Sequence, residues 1–244
     1  MDYWLYKCYT YNRNNEIYEN IRGTSNNDVC KWVTIRSYFN NLDGDLLMRN
    51  ERLMKQIQFI TEIDRLKQIF RQNVVIGTTR NENDAEHSWH MAAMAILLSE
   101  YSADRNLDML KVLKLILIHD LVEIDAGDTF CYDEKGYEDK AEREMQAANR
   151  LFNVLPEDQA EEIYMLWREF EDLKTPEAKF AACLDRLQPL ILNYNTNGHT
   201  WQKPGVTSEK VIKRNSMLEQ YAPELWSLAK EIIELSIEKG ILKP

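Results

Sequence analysis

Apolar residues recur along most of this chain at intervals of three and four, the spacing that gathers them on one face of an α-helix. Leu107, Leu110, Leu113 and Leu117 form one such stripe, and Phe180, Leu184, Leu187 and Ile191 another. A third is Met91, Met94 and Leu98, and His87 falls on it, which points that imidazole inward. The spacing predicts helices over residues 48–72, 84–101, 107–125, 137–154, 157–173, 176–194, 208–219 and 223–239. Thr175 is the expected N-cap of the sixth, with Pro176 at its first position, and Gly240 is the expected stop of the last. Pro189, inside the sixth, should bend it near Asp185, because its ring meets the carbonyl four residues earlier. Few stretches alternate, and the 244 residues include only 8 Gly and 6 Pro, so the fold class is all-α, a helical bundle.

The first 47 residues read differently. Tyr3–Tyr11 and Val29–Ile35 are rich in aromatic and β-branched residues, a composition for strand or irregular packing. The expected division is therefore an N-terminal extension of unassigned role, 1–47, followed by one helical domain, 48–244. No repeat or low-complexity tract is present. The main irregular insertion is 195–206, where His199 and Trp201 follow the sixth helix closely enough to border a pocket.

Polar residues break the apolar pattern most sharply at Leu115-Ile-Leu-Ile-His-Asp-Leu-Val-Glu123. A buried carboxylate needs a counter-charge, and a divalent cation held by imidazole and carboxylate supplies one. On a continuous helix His119, Asp120 and Glu123 would share one side, one turn apart. Asp185 stands beside its own helix's apolar face, after the small Ala181 and Ala182. Taken singly, each residue has a plainer reading: His87 as a core histidine bonded to a carbonyl, Glu86 and Glu123 as helix-end groups, Asp128 as a cap, Arg71 and Arg80 as surface cations. His90 is expected to bind no metal.

Together, Ala85-Glu-His87, His119-Asp-Leu-Val-Glu123, Ala126-Gly-Asp128 and Cys183-Leu-Asp-Arg-Leu-Gln188 resemble the HD superfamily of metal-dependent phosphohydrolases, and most of all its 5′-nucleotidase branch. The resemblance spans roughly 51–215. It implies a single core metal site with His87, His119, Asp120 and Asp185 as ligands to a divalent cation (Mn, Co, Mg, Fe or Zn). It implies Glu123 and Asp128 as acid–base and water-positioning carboxylates, and Arg71 as the cation that grips the substrate phosphate. Arg80 is a further substrate-binding candidate. The expected reaction is hydrolysis of nucleoside or deoxynucleoside 5′-monophosphates to nucleoside and phosphate. The branch often has a tryptophan soon after the arginine, where this chain has Gln72-Asn-Val-Val75, so the preferred sugar stays open.

Charge and cysteines narrow the alternatives. A net charge of −10 argues against a nucleic-acid footprint, while a mononucleotide needs only a locally positive pocket. Cys8, Cys30, Cys131 and Cys183 have neither metal nor redox spacing, and no apolar run is long enough for a membrane span, so a cytoplasmic protein is expected. A homodimer is compatible with the Met- and Leu-rich helices. The competing functions are a (p)ppGpp-type or other nucleotide pyrophosphohydrolase, a cyclic-nucleotide phosphodiesterase, and a non-catalytic helical interaction protein with a structural metal. Ile124 after Glu123 and the shortage of further histidines count against the first two.

Overall fold

The structure is a computed structural model and describes residues 7–11, 17–21 and 44–244. The chain divides into two compact units, Met1–Met54 and Lys55–Pro244. In the first, β1 (Lys7–Tyr11) and β2 (Ile17–Ile21) pair antiparallel, Lys7 opposite Ile21 and Tyr11 opposite Ile17. The strand-like stretch Val29–Ile35 lies outside the described residues. Helix α1 (Gly44–Ile63) runs from the first unit into the second.

The second unit is helical apart from one hairpin. The helix expected over 48–72 ends early: α1 stops at Ile63, one 3-10 stretch covers Asp64–Gln68, and β3 (Phe70–Val74) follows. β3 pairs antiparallel with β4 (Asn81–Asn83), Phe70 opposite Asn83 and Val74 opposite Asn81. The reason is local. Val74, Val75 and Ile76 favour extended backbone, and Gly77, at φ 77°, takes the left-handed turn that a side chain would resist.

Asn83 ends β4 and caps α2 (Asp84–Leu98): its side chain accepts from the Glu86 amide, and the Glu86 carboxylate accepts from the Asn83 amide. Then come α3 (Met109–Ile118), α4 (Glu123–Ala126), α5 (Lys140–Phe152), α6 (Glu157–Asp172), α7 (Pro176–Asn195), α8 (Ser208–Asn215), α9 (Leu218–Tyr221) and α10 (Pro223–Glu238). Thr175 caps α7 as expected, accepting from the Ala178 amide, and α7 remains helical through Pro189. Gly240, at φ 70°, follows α10.

Helices α2, α3, α7 and α10 surround one apolar core in which Met91, Leu115, Phe180, Leu187 and Ile233 are almost completely buried. A second cluster, Leu121, Val122, Leu151, Phe152 and Trp167, packs α4, α5 and α6 together. The stripes expected on α2 and α7 thus meet in the first core, and the polar residues interrupting them are buried between helices; on α3 the buried face is Val112, Leu115 and Ile116, while Leu110 and Leu117 of the expected stripe are exposed. The expected helix 107–125 is where the structure departs most. α3 ends at Ile118, and the Leu121, Glu123 and Ile124 amides bond back three residues rather than four, to Ile118, Asp120 and Leu121. Residues three apart eclipse in such a turn, so Asp120 and Glu123 are stacked by tightened backbone, not by a continuous α-helix.

Candidate metal centre and cleft

α2 contributes His87, fully buried. Its Nδ1 lies 3.1 Å from Gln188 Oε1 and its Nε2 3.2 Å from Asp185 Oδ1, both on α7. The turn after α3 contributes His119, whose Nδ1 donates to the Ile116 carbonyl at 2.7 Å. In the neutral ring that bond leaves Nε2 as the lone-pair nitrogen. It faces Asp120 Oδ1 at 3.1 Å and Asp185 Oδ1 at 4.0 Å. Both imidazoles are therefore held at Nδ1 and aimed at the carboxylates through Nε2, the arrangement in which an outer hydrogen bond sets the tautomer of a ligating histidine.

Donor atoms of His87, His119 and Asp120 all fall within 4.8 Å of one another, and Asp185 borders both imidazoles. His119 Nε2 is buried and has no hydrogen-bond partner among the described residues. Two neutral imidazoles with two carboxylates are a donor set that divalent ions accept, so the residues fit the metal the sequence implies.

Arg71 enters from β3. Its Nη1 lies 2.9 Å from Asp120 Oδ2 and 3.3 Å from Asp84 Oδ1, and its Nη2 3.9 Å from Asp185 Oδ1. Asp84, Glu123 and Asp128 form a second close group of carboxylates beside the first. Glu123 begins α4, and Asp128 follows Gly127, whose φ of 78° lets the chain leave that helix. Arg71, His119, Asp120, Glu123, Asp128 and Asp185 all line one cleft.

Burial and mutual repulsion set the charges here. Burial, then Arg71, pushes His87 down to about 4, so it is neutral at pH 7. Burial also pushes His119 down, but Asp120 and Asp185 outweigh it and hold it up to about 9. A proton on His119 and a cation at Nε2 are thus alternative counter-charges for the same carboxylates. Burial would raise Asp120 and Asp185, yet the nearby imidazoles and guanidiniums hold both below the ordinary carboxylate range. Glu123 is pushed well up, first by burial and then by Asp120, Asp84 and Asp128. Asp84 rises to about 7 by burial and Asp120, and Asp128 is raised mainly by burial. The site therefore holds carboxyls of two kinds: some kept ionised and some that retain a proton near neutrality.

The structure does not bring Arg80 to the cleft. It is half exposed and pairs bidentately with Glu86, at 2.8 and 2.9 Å. His199 is exposed, whereas Trp201 is buried and lines the cleft. Several site residues were missed in the sequence. Asp84 is fully buried against Arg71. Gln188 donates to Glu82 at 2.7 Å while holding His87. Lys140 and Arg214 also line the cleft. Asp84 lies three residues before His87, and Gln188 three after Asp185, so helical spacing from the candidate ligands was the available signal.

An HD domain family model matches residues 63–226, more than half of the chain. Among similar proteins, the Bos taurus 5′-deoxynucleotidase HDDC2 is 33% identical over 150 residues, covering 61% of this chain and 71% of that protein. The Schizosaccharomyces pombe 5′-deoxynucleotidase hdd1 is 27% identical over 146 residues, 58% of this chain and 72% of that one. A crystal structure described as a predicted metal-dependent phosphohydrolase from Magnetospirillum magnetotacticum superposes with a TM-score of 0.76 at 48% identity, covering 80% of this chain and 97% of that one. With the family model spanning both imidazoles, Asp120 and Asp185, the chain belongs to the HD-domain family of metal-dependent phosphohydrolases.

Proposed function

We propose that this chain is a cytoplasmic phosphomonoesterase that hydrolyses nucleoside 5′-monophosphates, deoxynucleotides among them, to nucleoside and phosphate. Its divalent cation is held by His87, His119, Asp120 and Asp185. The observation that carries this reading is Arg71, a buried guanidinium 2.9 Å from Asp120 on the wall of the cleft that Glu123 and Asp128 also line. The similarity to proteins named 5′-deoxynucleotidases supports the substrate class. The free thiols Cys131 and Cys183 suit a reducing compartment.

When bound, the cation supplies electrophilic charge to the phosphoryl group and makes water acidic enough to act as nucleophile near neutral pH. The chain's residues do the rest. Arg71 offsets the charge of the phosphate oxygens in fork geometry. Glu123, beside Asp120 in the tightened turn, is ionised once the cation offsets the charge of the neighbouring carboxylates, and it then takes the proton of the attacking water. Asp128, whose carboxyl burial raises above the ordinary carboxylate value, gives a proton to the departing 5′-oxygen. A cleft so rich in carboxylates would repel a phosphate dianion, so substrate binding depends on the cation as well as on Arg71.

The test is phosphate release by the metal-loaded protein from ribo- and deoxyribonucleoside 5′-monophosphates, a guanosine tetraphosphate, and 3′,5′-cyclic nucleotides. Release from the monophosphates alone is expected. Pyrophosphate release from the tetraphosphate would instead favour a pyrophosphohydrolase, and inertness with every divalent ion would favour a non-catalytic helical protein.

A further inference from the structure

Arg71, Lys140, Arg186 and Arg214 are the lysine and arginine side chains lining the cleft. Three are already engaged. Arg71 donates to Asp84 and Asp120, Lys140 pairs with Glu144 at 2.7 Å, and Arg186 donates to the Ala182 carbonyl at 2.7 Å. The Arg214 side chain, in the last turn of α8, makes no hydrogen bond among the described residues. Its nearest charged partner is Asp185 Oδ2, 3.7 Å from Nη2 and beyond hydrogen-bond length. Its side chain is 32% exposed, against 13% for Arg71. Asp185 is thus approached by Arg71 at Oδ1 and by Arg214 at Oδ2; Arg71 has Nη1 committed to Asp84 and Asp120, whereas Arg214 has no side-chain donor committed.

We infer that Arg214 is a second guanidinium for the substrate's phosphoryl group, reaching it from α8 at the other edge of Asp185 from Arg71. A phosphate monoester is close to a dianion at neutral pH and presents several strong acceptor oxygens. Arg71 Nη1 is shared between two carboxylates, so its capacity for those oxygens is divided. Arg214 has a free planar fork beside the same carboxylate, the geometry that matches phosphate oxygens in pairs. The inference rests on the phosphohydrolase reading of the cleft but not on the nucleoside half of the substrate.

The probe is therefore inorganic phosphate, titrated calorimetrically into protein loaded with a divalent cation. Arg214→Gln should weaken phosphate binding roughly 10-fold or more, the scale of one hydrogen bond to a charged group, with metal content unchanged. Lys213→Gln, which removes the same charge from an exposed neighbour on α8, should leave it unchanged. Arg214→Met, which keeps the apolar stem, gives the same readout if the Gln variant is unstable. Undiminished phosphate binding in the Arg214 variants would overturn the inference. So would a loss of metal alongside phosphate, because Arg214 would then act by positioning Asp185, and so would a wild-type protein that binds no phosphate. Failure to hydrolyse nucleoside monophosphates would count against the nucleotidase reading alone, since this probe contains no nucleoside.

Discussion

His87 Nε2 and Asp185 Oδ1 lie 3.2 Å apart although 98 residues separate them, and their contact ties α2 to α7 at the centre of the fold. His87 is fixed from behind by Gln188, so its inward nitrogen cannot turn away without breaking a buried hydrogen bond. Asp120→Ala and Asp185→Ala should each lose most of the bound divalent ion while keeping helical content, as read by elemental analysis and circular dichroism. Full metal occupancy in both variants would remove these residues from the ligand set.

Arg71 is both a substrate contact and a structural counter-charge in this account. Arg71→Ala should lower kcat/KM on phosphomonoesters by roughly 10²-fold or more while leaving metal content intact. It also leaves Asp84 and Asp120 without their cation, a loss that costs about 3 kcal/mol or more for a buried pair. Thermal unfolding should therefore fall markedly in chelator and recover partly when the divalent ion is restored. Unchanged kinetics together with unchanged stability would contradict both roles.

Glu82 gives a pH dependence whose sign is fixed. Burial raises its carboxyl from 4.5 to about 7, so between those values the native state holds a proton that the unfolded chain releases. Stability from this group is therefore full below about 4.5 and is lost as pH rises to about 7. Glu82→Gln deletes that dependence. In denaturant titrations of the metal-free protein, the variant should gain on wild type across this window, by an amount on the order of 3 kcal/mol at most. A constant difference at all pH values would mean that Glu82 titrates normally.

Much of this was legible in the sequence because burial and chemistry conflict there. His87 on an apolar stripe and His119-Asp120 inside an apolar run were visible as polar residues without partners; the helix bearing His87 formed close to its expected limits, whereas α3 stops at Ile118, one residue before His119. Arg71 was found by motif but placed on a helix, because the periodicity of α1 continues past Ile63 while Val74, Val75 and Ile76 impose a hairpin. The break after Ile118 was hidden because a turn with three-residue bonding keeps nearly the same polar spacing as an α-helix. Arg214 was not legible at all: its relation to Asp185 arises from how α8 packs on α7, and nothing local to α8 marks it.

Chemistry and metal binding separate at Glu123. Glu123→Gln keeps the shape of the turn and all four proposed ligands, so the ion should stay while turnover falls by about 10²-fold or more. Asp128→Asn should act similarly on nucleotides but lose less on an aryl phosphate, whose leaving group needs no proton. Equal losses on both substrates would exclude Asp128 as the acid.

The most direct test of the whole account is phosphate release from nucleoside 5′-monophosphates as metal-free protein is titrated with manganese, run in parallel on wild type and Asp185→Asn. Negligible release is expected without the ion, with a saturable rise in wild type and little or none in the variant at the same ion concentration. Release that is independent of added ion, or equal in the two proteins, would contradict it.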